Sequence, residues 1–389
     1  MHIARTDQSI LGQWFWTIDR KVLGSIMLLV LLGVLLVTSA SPAVAERIGL
    51  PPFHFVIRHL IFLVPTVLAM LALSFLSIRD IRRVSMLTYA GAVVLVIGTI
   101  LFGAEIKGAT RWIHLFGFSL QPSEFLKPSF AVVAAWLIAR QRDHKEFPGL
   151  TASTILLGVT IGLLMLQPDF GMSFVIACIW GVQLFLSGLP LAWFVLLGGV
   201  GIAFLCLVYF TFPHVASRID RFISPESGDT YQVDKSLDSF ANGGLLGTGA
   251  AQGQIKMSLP DSHADFIFAV AGEEFGLLLT MLIILLFAFI VARSMLRVIS
   301  SGDLFVVLAT GGILTQFALQ SLIHMGSSLQ LLPAKGMTLP FISYGGSSLL
   351  SLGLGMGLVL ALTKKRADPI HKHTTLSPNS YSKGDRTYV

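Results

Sequence analysis

The chain has 389 residues, 54% of them hydrophobic and only 12% charged, with a mean hydropathy of +0.78. A soluble domain carries about twice that charged fraction, so the composition excludes a soluble enzyme and points to a polytopic membrane protein. The formal charge of +6 is no nucleic-acid signature, because the basic residues stand in short loops beside apolar spans. Nucleic acid is not an expected partner.

In chain order, residues 1–21 form a cytoplasmic lead-in. Its stretch LGQWFWTIDRK is expected at the interface, with Trp14 and Trp16 at headgroup depth. About ten spans follow, at 22–41, 57–77, 84–103, 124–140, 152–168, 170–188, 190–211, 265–292, 303–325 and 345–362, each near the roughly 20 apolar residues a bilayer needs. The first lacks a convincing cleavage site and reads as a signal anchor. Arg5, Arg20 and Lys21, then Arg79, Arg82 and Arg83, then Arg140, Arg142 and Lys145, then Arg293 and Arg297, and finally Lys364, Lys365 and Arg366 all fall on one side. By the positive-inside rule that side is the cytoplasm, which places both termini there.

The expected fold is thus an all-α polytopic bundle over 22–363. Its large extracytoplasmic loop, about 212–264, lies between helices 7 and 8. The polar tail 364–389 is expected to be disordered. No 20–50-residue repeat is present, and Cys178 and Cys206, both in apolar runs, give neither a disulfide framework nor a metal spacing.

Three extracytoplasmic segments carry the candidate chemistry. In LPDSHADFIFAVAGEEFG (259–276), a helix starting near Ser262 or His263 puts Asp265 in its first turn, where an anion is favoured. Asp265 is either a plain helix-terminal carboxylate or a functional group at the rim of the apolar zone. Glu273 and Glu274 lie two turns further on, too far to share a reacting atom with Asp265 unless the helix breaks. At least one of them is expected to pair with a basic group from another span.

In GATRWIHLFGFSLQPSEFLK (108–127), Glu124 and Lys127 are i, i+3 neighbours. They form either a local ion pair or, with Arg111 and Trp112, a site for an anionic headgroup. In LLPAKGMTLPFISYGGSS (331–348), prolines and glycines interrupt an apolar context, which membrane depth tolerates only where the backbone is buried or lines a cavity. There Lys335 is either a solvated loop lysine or a phosphate contact. The glycines of ANGGLLGTGAAQG (241–253) read as a flexible loop rather than an anion-binding nest, and in QPDFG (167–171) Asp169 reads as the cap of the next helix.

Six stretches in order, GATRW, QPSEFLK, QPDFG, NGGLLGTG, LPDSHADFIFAVAGEEFG and PAKGMTLPFISYGGSS, closely resemble the SEDS family of shape, elongation, division and sporulation proteins. The resemblance runs from the first span to the last. PAKGMTLP is closer to the division branch of that family than to the elongation branch.

The resemblance implies a peptidoglycan glycosyltransferase of the bacterial inner membrane, acting at the division septum. It implies polymerisation of lipid II, a disaccharide-pentapeptide on undecaprenyl pyrophosphate, alongside a class B penicillin-binding protein and other divisome membrane proteins. It makes Asp265 the essential residue, as base or as ligand of a divalent cation (Mg or Mn), with no nucleotide. Arg111, Trp112, Glu124 and Lys127 match the family's functional positions, and Lys335 joins them as a substrate contact. The chain departs from the family pattern at Asp234 and Lys235, at Ala264 before the aspartate, and at His324, where Asn is common. An RodA-like elongation polymerase, a lipid II flippase and a non-catalytic scaffold are the competing expectations.

Overall fold

The computed structural model describes residues 9–103, 110–115, 117–190, 231–333 and 336–365, with scattered positions between 192 and 220. The seventh predicted span (190–211), the first part of the long loop and the tail beyond 365 lie wholly or largely outside the described residues, as does Lys335.

The described chain is helical, apart from one short hairpin. The helices are α1 (Ile10–Thr17), α2 (Arg20–Arg47), α3 (His54–Leu73), α4 (Ile78–Phe102), α5 (Ser123–Asp143), α6 (Gly149–Leu166), α7 (Phe170–Leu186), α8 (Tyr231–Gly243), α9 (Ile267–Ile299), α10 (Leu304–Ser328) and α11 (Gly346–Leu362). Strands β1 (Ile113–Leu115) and β2 (Phe118–Leu120) pair antiparallel between α4 and α5. Nine of the ten predicted spans thus coincide with described helices, and the protein is a multi-pass membrane protein.

Among the described residues, six helices are long and apolar enough to cross a membrane. Helices α7 and α11 are shorter, at 17 residues each. Helix α5 is excluded by its charges rather than its length. It compensates by position: α4, α6, α7, α10 and α11 enclose it, and Leu126, Phe130, Ala131, Val132, Ala134 and Ala135 are wholly buried. A polar helix can sit at membrane depth when protein rather than lipid surrounds it. The outer helices instead turn Leu68, Val94 and Leu285 outward, as a lipid solvent requires.

The basic ends gather as the topology demands. Asp19, capping α2, forms ion pairs with Arg293 (2.9 Å) and Arg297 (2.5 Å) at the far end of α9. The Lys365 amide donates to the Thr17 carbonyl (3.0 Å) at the same place. Trp14 is drawn in further than an interfacial anchor: its indole N–H donates to Ser74 Oγ (2.7 Å) and its ring stacks on Phe75.

Two expectations are corrected. Helix α9 begins at Ile267, so Asp265 precedes the helix instead of sitting in its first turn. The chain is diverted because Asp261 adopts φ 51° and its carbonyl accepts the amides of both Ala264 and Asp265 (2.9 Å each). The glycine-rich loop, in turn, is not a flexible one. Helix α9 breaks at Gly276 (φ 68°, ψ −165°), and the loop fills the break. Thr248 and Gly249 donate to the carbonyls of Glu273 and Glu274, while Leu277 donates to the Gly244 carbonyl. A Cβ on Gly247 would stand 2.2 Å from the Glu274 carbonyl oxygen, so only glycine permits the approach. The Thr248 and Gly249 amides are thereby committed to α9 rather than turned toward an anion.

Candidate active site

Asp265 is half-buried in a turn that other elements hold from both sides. The His263 carbonyl accepts the Tyr344 amide (3.0 Å), and the Ala264 carbonyl accepts Ser343 Oγ–H (2.7 Å). These bonds dock the turn onto the re-entrant segment between α10 and α11, whose residues Leu339, Phe341, Ile342 and Ser343 are buried. Irregular backbone at this depth is thus enclosed by protein, as its polar groups require. Docking brings Gly336 against the carboxylate: a Cβ there would lie 3.2 Å from Asp265 Oδ2. Gly336 itself has φ +36°. Its neighbour Lys335 lies outside the described residues.

His263, two residues away, packs against the rings of Phe55 and Tyr344. Burial pushes its imidazole down to about 4, with Asp261 opposing that shift and Arg47 reinforcing it. It is therefore neutral at pH 7 and adds no positive charge beside Asp265.

Beneath this layer runs a buried polar chain. Glu124 and Lys127 form an ion pair at 2.7 Å, with the lysine side chain 2% exposed. Lys127 Nζ donates to Gln320 Oε1 (3.2 Å). Gln320 Nε2 donates in turn to the Thr338 carbonyl, Thr338 Oγ1 and Ser348 Oγ. His324, one turn beyond Gln320 on α10, hydrogen-bonds the Met337 carbonyl (2.7 Å). The start of α5, the C-terminal half of α10 and the segment facing Asp265 are thereby one connected unit.

Arg111 belongs to an adjoining cluster. Its Nε donates to the Gln167 carbonyl (2.9 Å), its Nη2 to the Pro168 carbonyl (2.5 Å), and Asp169 lies 3.8 Å from Nη1. Asp169 caps α7 through the Met172 amide, as its motif led one to expect. Gln121 links the two clusters, its side chain reaching Asp169 (3.4 Å) and its amide reaching Ser347 (2.8 Å). Trp112 is half-buried at the entry to β1.

The two glutamates of the 259–276 stretch do structural work. Glu273 accepts the Ile255 and Lys256 amides (2.7 and 2.9 Å), far from any shared role with Asp265. Glu274 pairs with Lys256 and also accepts Ser39 Oγ–H. The basic partner was foreseen, but it comes from the loop rather than from another span.

Sequence reasoning missed Lys256, Gln320, Thr338 and Ser348. A signal existed for one of them: Gln316, Gln320 and His324 recur every four residues within an apolar span, which is one polar helix face. Among the described residues, no three His, Cys, Asp or Glu side chains stand together as a metal site.

Fold and site together define a polytopic membrane protein whose candidate reactive carboxylate is docked on the segment between α10 and α11, which a buried ion pair braces. The chain belongs to the FtsW, RodA and SpoVE family of cell cycle proteins, which it matches over residues 19–368, as its six motifs implied. It is 43% identical over 364 residues to the probable peptidoglycan glycosyltransferase FtsW of Caulobacter vibrioides, covering 93% of each chain. It is 35% identical to the FtsW of Coxiella burnetii, over 89% of this chain and 96% of that one. Among solved structures it resembles a chain from a study of how polymerisation and crosslinking are coordinated in a peptidoglycan synthase complex. The TM-score there is 0.73 at 25% identity, over 89% of this chain and 97% of that one. The Thermus thermophilus rod shape determining protein RodA gives 0.65 at 25% identity, over 89% and 96%.

Proposed function

We propose that this chain is a peptidoglycan glycosyltransferase that polymerises lipid II at the outer face of the bacterial inner membrane, for septal wall synthesis. The observation that carries the reading is Asp265: a half-buried carboxylate fixed at the rim by backbone bonds and set against the re-entrant segment. The relatives' names support the reaction class, and their FtsW identity favours division over elongation.

In the proposed reaction, Asp265 takes the proton from the acceptor sugar 4-hydroxyl. The hydroxyl oxygen attacks the donor anomeric carbon, the bond from that carbon to the pyrophosphate breaks, and the electron pair leaves with the pyrophosphate. In this reading, charge on the leaving group falls to Lys335 and Arg111, and Trp112 is a further substrate contact. Lys127 is buried with Glu124 and positions the segment through Gln320 and Thr338 instead of touching substrate. Asp265 is the residue that would hold a divalent cation, Mg or Mn, since Mg²⁺ is commonly bound through one or two carboxylates together with substrate phosphate. The cation would screen the pyrophosphate charge.

A class B penicillin-binding protein is the proposed partner, which the synthase-complex neighbour supports, with other divisome membrane proteins around it. The test is polymerisation of labelled lipid II by purified protein with that partner, its transpeptidase serine disabled. Wild type should give long glycan chains, and Asp265→Ala should give none while melting as a folded protein. Equal product from both would remove Asp265 from the chemistry, and no product from either would favour transport or scaffolding.

A further inference from the structure

We infer that the cytoplasmic end of the bundle carries a binding site for the phosphate of an anionic phospholipid headgroup, separate from the extracytoplasmic site. A pocket of about 710 Å³ opens there between the start of α4, the end of α5 and the start of α10. Its cationic lining is Arg82 from α4 with Arg140 and Arg142 from α5, and His144 follows.

Among the described residues these arginines have no counter-ion in ion-pair contact. Elsewhere at this end Arg293 and Arg297 share Asp19, and Arg83 pairs with Asp80. Among the described residues, no carboxylate lies within ion-pair distance of Arg82, Arg140 or Arg142. Two aspartates line the pocket, Asp143 and Asp303, and Asp303 is engaged in capping α10 through the Val306 amide. Arg82 Nε is buried without a hydrogen-bond partner. An unmet buried donor of a cationic group is costly, and an anion in the pocket would meet it.

The guanidinium groups are also held in place. Arg82 lies 4.4 Å over the Phe305 ring, and Arg140 lies 5.5 Å from Trp136 and 5.1 Å from Phe147. Aromatic stacking restrains their planes without using up their N–H groups. A restrained fork suits two-pronged binding of phosphate oxygens better than a lysine would.

A lipid source is favoured over a soluble phosphate by position. The pocket lies at the level where spans begin and end, with Trp136 in its wall, as interfacial tryptophans are placed. Met86 stands one turn from Arg82 on the same face of α4 and is 45% exposed, leaving an apolar path for an acyl chain.

The experiment uses delipidated full-length protein in neutral detergent. Retention of phosphatidylglycerol is measured by native mass spectrometry, together with the shift in melting temperature. Phosphatidylcholine, inorganic phosphate and glycerol 3-phosphate are the comparison ligands. The expected result is selective retention of phosphatidylglycerol, reduced about tenfold in Arg82→Gln/Arg140→Gln. It should be unchanged in Arg79→Gln/Arg83→Gln, which removes the same charge from exposed positions of the same turn. Equal losses in both variants would overturn the site in favour of bulk charge. Equal protection by glycerol 3-phosphate or phosphate would overturn the lipid assignment. If the double variant does not fold, Arg140→Lys is compared with Arg79→Lys. A several-fold loss confined to the former supports the site, and equal retention overturns it.

Discussion

At the residue scale, the Glu124–Lys127 pair shows how a charge can be tolerated within a membrane helix. Each partner neutralises the other, and Gln320 takes a further lysine N–H. Removing one partner strands the other. Lys127→Met is therefore expected to destabilise by about 3–5 kcal/mol, read as a lowered melting temperature in detergent. Glu124→Gln/Lys127→Met should recover most of that stability, because no lone charge remains, yet polymerise poorly, because Thr338 and the segment facing Asp265 lose their brace. By contrast, Asp265→Asn should melt close to wild type, since its turn is secured by the carbonyls of Asp261, His263 and Ala264.

Asp19 makes a pH prediction at the same scale. Burial raises its carboxyl, but hydrogen bonds from Arg293 and Arg297 outweigh burial and hold it below the ordinary 3.8. A carboxyl depressed by folding adds stability that is fully present above its unfolded value and lost as pH falls through the folded one. Acid melts of wild type should keep this contribution until below about pH 4. Asp19→Asn should melt lower at pH 7 and show a shallower decline in acid.

At the element scale, the break in α9 is the feature most open to test. Two hydrogen bonds from the loop amides replace those the helix gives up at Gly276, and the loop can deliver them only because Gly247 adopts φ 83°. Gly247→Ala should destabilise by more than about 1 kcal/mol and expose 241–253 to limited proteolysis. The same break explains why Glu273 and Glu274 face the loop and α2. The spans were legible from apolar runs, and the Asp169 cap from its place before a helix. The start of α9 was not, because FIFAV is as apolar as any helix interior and the turn ahead of it is imposed by Ser343 and Tyr344, about eighty residues away in the chain.

At the scale of the whole molecule, the bundle sorts its charges by face. Arg79, Arg82, Arg83, Arg293, Arg297 and Lys365 lie toward one end, while Arg111, Asp169 and Asp265 lie toward the other. Both termini should therefore report as cytoplasmic: green fluorescent protein fused after Val389 should fluoresce, and alkaline phosphatase fused there should stay inactive. The reverse pattern would invert the molecule and place Asp265 on the wrong side for lipid II polymerisation.

The sequence by itself determined that the chain crosses the membrane many times, where most spans run, which family it belongs to and which carboxylate to suspect. Those properties follow from composition, local spacing and ordered motifs, all of which are written along the chain. Only the tertiary structure decided that Lys127 is an internal brace rather than an open contact, that Lys256 neutralises Glu274, and that the glycine loop mends a helix. It also decided that Gly336 lies against Asp265. Each of these depends on a partner tens to hundreds of residues away, and a buried polar group is defined by its surroundings rather than by its neighbours in sequence.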